Sequence, residues 1–127
     1  MFYIHKKIYV FFIYIFILAA FSNLLNAFEN NIKISPISMD FFGNIQKANI
    51  GDILTVKDPD GITCGKFVIN KKDKYGFIHV YGDDPSTSID EGAKPGDILT
   101  FLLNNNELNT QNIVWIGDRI KKRIDID

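Results

Sequence analysis

The alternation of apolar and polar positions changes character once along the chain. From Ile8 to Phe21 every residue is apolar or aromatic, and His5, Lys6 and Lys7 stand just before this run. A short positive stretch, an apolar run of 14 residues and then small residues at Ala20 and Ser22 form the layout of a secretory signal peptide cut before Asn23. A second cut, after Ala27, would extend the leader over residues 1–27 instead of 1–22. The competing reading is an uncleaved anchor. A spanning helix needs about 20 apolar residues; Ser22-Asn23 interrupts the run before that length, although Leu24 and Leu25 could continue it. Residues 23–31 are polar and rich in asparagine, which suits a linker.

From residue 32 the period is two. Ile32 and Ile34 alternate with polar neighbours, as do Ile37, Met39 and Phe41, with Pro36 dividing the two sets in the manner of an edge strand or a strand switch. Residues 43–51 read as a turn or loop. Ile53 to Lys57 is a β-branched strand closed by Asp58-Pro59-Asp60-Gly61, a turn with proline and glycine in the expected order. Further strands are predicted over 62–70, 75–81, 97–103 and 113–116, the one at 97–103 being the most apolar and therefore central. A polar loop spans 82–96, and Asn104-Asn105-Asn106 is a turn. The tail from Arg119 to Asp127 alternates as a half-exposed terminal strand. No apolar stripe at helical spacing persists for three turns after the leader. About seven short strands separated by turns over residues 32–127 predict one all-β domain, a β-sandwich. One internal echo is present: residues 48–56 and 93–101 agree at six of nine positions, 45 residues apart. It reads either as a duplicated motif or as two Gly-Asp turns, each leading into a buried strand.

Charge and rare residues narrow the function classes. The 127-residue chain has 14 basic and 15 acidic residues; without Lys6 and Lys7 the balance is 12 to 15, net −3. A mildly acidic domain lacks the basic stripe of a general nucleic-acid binder. One cysteine, Cys64, excludes an intramolecular disulfide and a cysteine-rich metal site. His79 is the one histidine outside the leader, so a multi-histidine metal centre is excluded as well. In an exported protein a lone cysteine is either buried and inert or paired between molecules; the position of Cys64 where a strand leaves a turn favours burial.

Two sets of residues are candidates for a site. Asp83, Asp84, Asp90, Glu91 and Asp97 lie within 15 residues of one another, and Asp58 and Asp60 stand on another turn. Hard cations take six to eight oxygens from carboxylates and carbonyls, so the five acids of the loop are a candidate calcium site, although the spacing of an EF-hand is missing. The alternative is that these acids cap turns through backbone amides. Tyr75, Phe77, His79 and Tyr81 alternate along one strand opposite Ile78 and Val80. If the Ile78 side faces the core, this ladder is a binding face for sugar rings or a protein; if both sides are covered, it is core. A catalytic pair of carboxylates would need a sugar-sized cleft, and Gly61-x-x-x-Gly65-Lys66 is one residue short of a phosphate-binding loop. No catalytic residues and no obligatory cofactor are expected.

A resemblance adds to these readings. Cys64-Gly65, Tyr75-Gly76-Phe77, Tyr81-Gly82-Asp83-Asp84 and Glu91-Gly92-Ala93-Lys94-Pro95-Gly96-Asp97 follow one another in an order that resembles a β-sandwich module of exported bacterial surface proteins. The strand 52–58 with its Asp60-Gly61 turn and the strand at Tyr75 are also similar to carboxypeptidase-regulatory-like, transthyretin-type domains. The resemblance covers roughly residues 42–115, and the Asn104-Asn105-Asn106 turn departs from it where an Asn-Gly turn would stand. It implies an exported, non-catalytic module with a structural or binding role at the cell envelope or outside the cell, with a protein or glycan partner. A calcium-stabilised carbohydrate-binding protein and a hydrolase using the acidic loop are the alternatives. Contact with a membrane would come only through an uncleaved leader.

Overall fold

The computed structural model describes Val10, residues 12–17 and residues 32–127. The chain divides into two compact units, 1–31 and 32–127. Within the first, Val10 and residues 12–17 are helical and exposed. Both expected cleavage positions and the linker 23–31 lie outside the described residues. Among the described residues no helix is long and apolar enough to cross a membrane.

The second unit is built from strands, as the period of two predicts. They are β1 (Ser38–Asn44), β2 (Ile53–Lys57), β3 (Thr63–Val68), β4 (Lys74–Tyr81), β5 (Ile98–Leu103), β6 (Asn106–Glu107), β7 (Ile113–Val114) and β8 (Lys121–Arg123). One sheet has the order β4-β1-β8 and the other β3-β2-β5-β6, with β7 paired to β5. Consecutive strands β3 and β4 thus belong to different sheets. Inward positions alternate as a pleated strand requires: Met39 and Phe41 on β1, Leu54 and Val56 on β2, Ile78 and Val80 on β4, Leu99 and Phe101 on β5 are all buried. Phe41 of one sheet meets Phe101 of the other edge to face, ring centroids 5.7 Å apart. Trp115 is buried beside them in the same core, and its indole Nε1 donates to the Val80 carbonyl at 3.1 Å.

Three local expectations change in the fold. Residues 32–35 form no strand, and Ile34 is 80% exposed: apolar alternation makes a strand only where a neighbour offers backbone partners. Residues 43 and 44, expected in a loop, complete β1. The tail forms a strand over Lys121–Arg123 alone, in parallel with β1, and adds a single parallel bridge from Ile126 to Ile45. Its alternation is incomplete, because Ile120 is 55% exposed while Ile126 is buried.

The echo resolves into one turn used twice. Asp52 N–H donates to the Asn49 carbonyl and Asp97 N–H to the Lys94 carbonyl. In each turn the third residue is a glycine with positive φ, 94° at Gly51 and 99° at Gly96. Each aspartate then accepts the amide of its own turn's first residue, at 2.8 Å from Asn49 and 2.7 Å from Lys94. A positive φ in the third position is the type II requirement that glycine meets without strain. Pro95 holds the second position in one copy and the exposed Ile50 in the other. Ile50→Pro should therefore stabilise the domain by about 0.4–1 kcal/mol by restricting the unfolded chain, raising the melting temperature by about 2–8 °C. A thermal melt showing no rise would sink the equivalence of the two turns.

The asparagine turn is a tight hairpin turn. Asn104 and Asn105 have φ of 49° and 67°, the left-handed pair of a two-residue hairpin turn, and Leu103 faces Asn106 across it. Asn104 also accepts the Ile53 amide at 2.9 Å and donates to Asp52 at 3.0 Å. The turn thereby fastens the start of β2.

Candidate functional site

The strand carrying the aromatic ladder changes phase partway along. Phe41 pairs with Ile78 and Gly43 with Tyr75, with a register shift between them. Thus β4 covers three steps where β1 covers two, and the extra residue forms a bulge at Gly76 and Phe77. The bulge turns Tyr75 inward, opposite to the expectation that it shares a face with Phe77, His79 and Tyr81. Tyr75 is 3% exposed and its hydroxyl donates to the Ile124 carbonyl at 2.7 Å. Burial raises the pKa of that phenol, and Asp125 nearby adds to the effect.

The remaining three face outward, because Ile78 and Val80 between them are buried. Phe77 is 48% exposed. Its ring lies 5.2 Å from that of Phe42 on β1, and the Lys121 ammonium of β8 sits 4.9 Å from its centroid, a cation–π arrangement. His79 Nδ1 lies 2.6 Å from Asp40 Oδ1, and its ring stands 6.2 Å from that of Tyr81. One strand from each position of the β4-β1-β8 sheet contributes to this face. Phe42, Asp40 and Lys121 were not legible as partners of the ladder, since only the register of β1 against β4 and β8 brings them there.

The five acids of the 82–97 loop do not converge. Asp83 Oδ1 accepts the Glu91 amide at 3.0 Å. Asp84 Oδ1 accepts both the amide and the hydroxyl of Ser86, at 2.9 and 2.6 Å, and these bonds hold its pKa below the usual carboxylate range. Glu91 is buried and ion-paired with Lys33. Asp97 caps its own turn. For Asp84 and Asp97 the reason is local, since a short acidic side chain in a turn finds amides two or three residues away first, whereas Asp83 and Glu91 are engaged by more distant partners.

Asp90 alone points elsewhere. It gathers with Asp58 and Asp60 of the β2–β3 turn, one carboxylate oxygen from each lying within 4.8 Å of the others. Gly61 N–H donates to the Asp58 carbonyl at 3.1 Å, and Gly61 has φ of 83°. That turn fixes Asp58 at the end of β2, where it is 3% exposed. Asp58 Oδ1 accepts the Ile62 amide at 2.8 Å, while Oδ2 is buried with no hydrogen-bond partner. Asp90 Oδ2 takes the Lys94 ammonium at 2.7 Å, and its Oδ1 is likewise buried without a partner. Desolvation raises the Asp58 pKa, and the negative charge of Asp90 adds to it. Lys94 does the reverse for Asp90, holding its carboxyl low. The signal in the sequence was the Asp58-Pro59-Asp60-Gly61 turn, but nothing in it says which part of the loop lies beside it.

Cys64 follows Asp58 across the same turn. It is free and buried, donates weakly to the Ile62 carbonyl at 3.3 Å, and its pKa is pushed up to about 12, first by burial and then by Asp58. Such a thiol is the opposite of an activated nucleophile. Compared with protein families, with curated proteins and with solved structures, the chain matches none of them.

Proposed function

We propose that residues 32–127 form an exported, non-catalytic β-sandwich module that binds a protein partner at the cell envelope or outside the cell through the outward face of β4-β1-β8. The observation that carries this reading is Phe77, a large aromatic left 48% exposed among Phe42, His79, Tyr81, Asp40 and Lys121. Aromatic residues are enriched at the centre of protein-binding patches, with charges such as Asp40 and Lys121 belonging to their rim. A sugar ring would need an open aromatic face, whereas Phe77 is approached by Phe42 at 5.2 Å and by Lys121 at 4.9 Å. The edge-to-face contact of Phe41 and Phe101 supports the sandwich arrangement, and the buried Cys64 thiol supplies no activated nucleophile. The positive stretch, apolar run and small residues of the leader support export, as does the resemblance of the motif order to exported surface modules.

The test is binding of the purified protein to envelope fractions of its own cells, before and after protease treatment of those fractions. Saturable, protease-sensitive binding is expected. It should weaken at least about tenfold (~1.4 kcal/mol) in the variant Phe77→Ser, His79→Ser, Tyr81→Ser, and should persist in Ile89→Ser, an exposed loop position. Protease-resistant binding competed by polysaccharide would replace the protein partner with a glycan. Binding unchanged in the triple variant would remove this face from the function. Sequencing of the native N-terminus should begin at Asn23 or Phe28, and Met1 on membrane-bound material would decide for the anchor.

A further inference from the structure

We propose that Asp58, Asp60 and Asp90 form a calcium site that joins the β2–β3 turn to the loop of residues 82–97. Asp58 and Asp60 share one turn and Asp90 lies 30 residues further along the chain, yet one oxygen of each lies within 4.8 Å of the others. That span is about twice a calcium–oxygen bond of 2.3–2.6 Å, so a single ion between them can reach all three.

The independent observation is the state of the buried oxygens. Asp58 is 3% exposed and commits Oδ1 to the Ile62 amide. Its Oδ2 is buried with no donor, and so is Asp90 Oδ1. Buried polar atoms are rarely left without a partner, and an unpaired one calls for an unseen donor, water or ion. A buried carboxylate without compensation is costlier still. Lys94 is the cation bonded to the group, through Asp90 Oδ2 at 2.7 Å. One positive charge against three carboxylates leaves two negative charges, which a divalent cation balances.

The donor set selects the metal. Oxygen ligands alone suit hard cations, whereas zinc and copper favour nitrogen and sulfur. Cys64 does not change this, because it stands outside the cluster and its Sγ is turned to the Ile62 carbonyl at 3.3 Å. Magnesium demands near-ideal octahedral geometry and gives up water reluctantly, while calcium accepts irregular shells completed by water and backbone carbonyls. Asp60 is exposed and Asp90 partly so, which leaves room for water in the shell. The site would act as a brace, holding the acidic loop against the turn between β2 and β3.

The experiment is a calorimetric titration and a thermal melt of the full chain, prepared in chelator and then supplied with calcium or magnesium. Saturable binding of one calcium per chain is expected, with a melting temperature raised by about 10–20 °C at a hundredfold excess over Kd. Asp60→Asn, at an exposed position, should keep the fold and weaken calcium binding at least about tenfold. Asp84→Asn should leave binding unchanged, because that side chain serves Ser86. Asp58→Asn tests the orphaned oxygens directly: its amide keeps the bond from Ile62 and adds a donor in place of Oδ2. It should melt no lower than the native chain in chelator while losing the calcium response. The proposal is overturned by the lack of any calcium response at millimolar concentration, by a response that survives Asp60→Asn, or by an equal response to magnesium.

Discussion

Trp115→Ala is expected to cost about 3–5 kcal/mol, the range for truncating a large aromatic in a close-packed core. Trp115 is 2% exposed and belongs to the cluster that includes Phe41, Val80 and Phe101. Its Nε1 also donates to Val80 on β4, an edge strand of its sheet, so truncation removes that donor as well as the packing. Gly82 and Gly117 show how closely the ring is held: a Cβ on either would overlap the indole. Domains of this size are stable by only about 5–15 kcal/mol in total, so the loss is a large fraction. At about 4–8 °C per kcal/mol, the melting temperature should fall by at least about 12 °C. Trp115→Phe keeps a six-membered ring but loses the pyrrole part and the donor, and should cost less than Trp115→Ala, about 1–3 kcal/mol. A fall of less than about 5 °C for Trp115→Ala would show that the indole does not hold the core together.

Gly43→Ala should release the C-terminal strand. A Cβ at Gly43 would overlap the backbone carbonyl of Ile124 and come within 2.9 Å of Asp125 Oδ1. Backbone cannot step aside as a flexible side chain can. The two segments are laced together on either side of this point: Ile124 N–H donates to the Phe42 carbonyl and Ile126 N–H to that of Asn44, both at 2.9 Å. Asn44 N–H donates to Asp125 at 2.8 Å, and the Tyr75 hydroxyl to the Ile124 carbonyl at 2.7 Å. Displacing the strand exposes Ile126, now 2% exposed, whose burial contributes about 1.5–3 kcal/mol. Trypsin should then cut at Arg119 to Arg123 well before the domain unfolds, with the far-ultraviolet circular dichroism little changed. Gly76→Ala is the control, since a Cβ there meets only the Phe67 ring at ordinary contact distance. Equal protease resistance of both variants would mean that the close approach at Gly43 is not needed.

The all-β character of residues 32–127 was legible in the chain itself, because the period of two is a local property. Leu54 and Val56, Ile78 and Val80, and Leu99 and Phe101 are spaced so that only an extended strand puts them on one side, and all six are buried. The turns were legible for the same reason: Gly51, Gly61 and Gly96 hold positive φ at the positions where the residue types announced a reversal. Residue type and near neighbours decide such features, so no distant contact is needed to read them. The register of one strand against another is not local, and there the sequence fell short. A single bulge in β4 turned Tyr75 from the outward ladder into the core, a change of face that follows from one extra residue in the pairing with β1. The acidic loop shows the same limit for charge. Proximity along the chain suggested five ligands, yet four of them bond to atoms other than the cluster, and Asp90 meets Asp58 and Asp60. Which carboxylates share a space depends on how the 82–97 loop closes over the β2–β3 turn, and that closure is set by long-range packing and backbone pairing. The tertiary structure alone therefore decided which aromatics face outward and which acids stand together, since both depend on contacts between segments far apart in the chain.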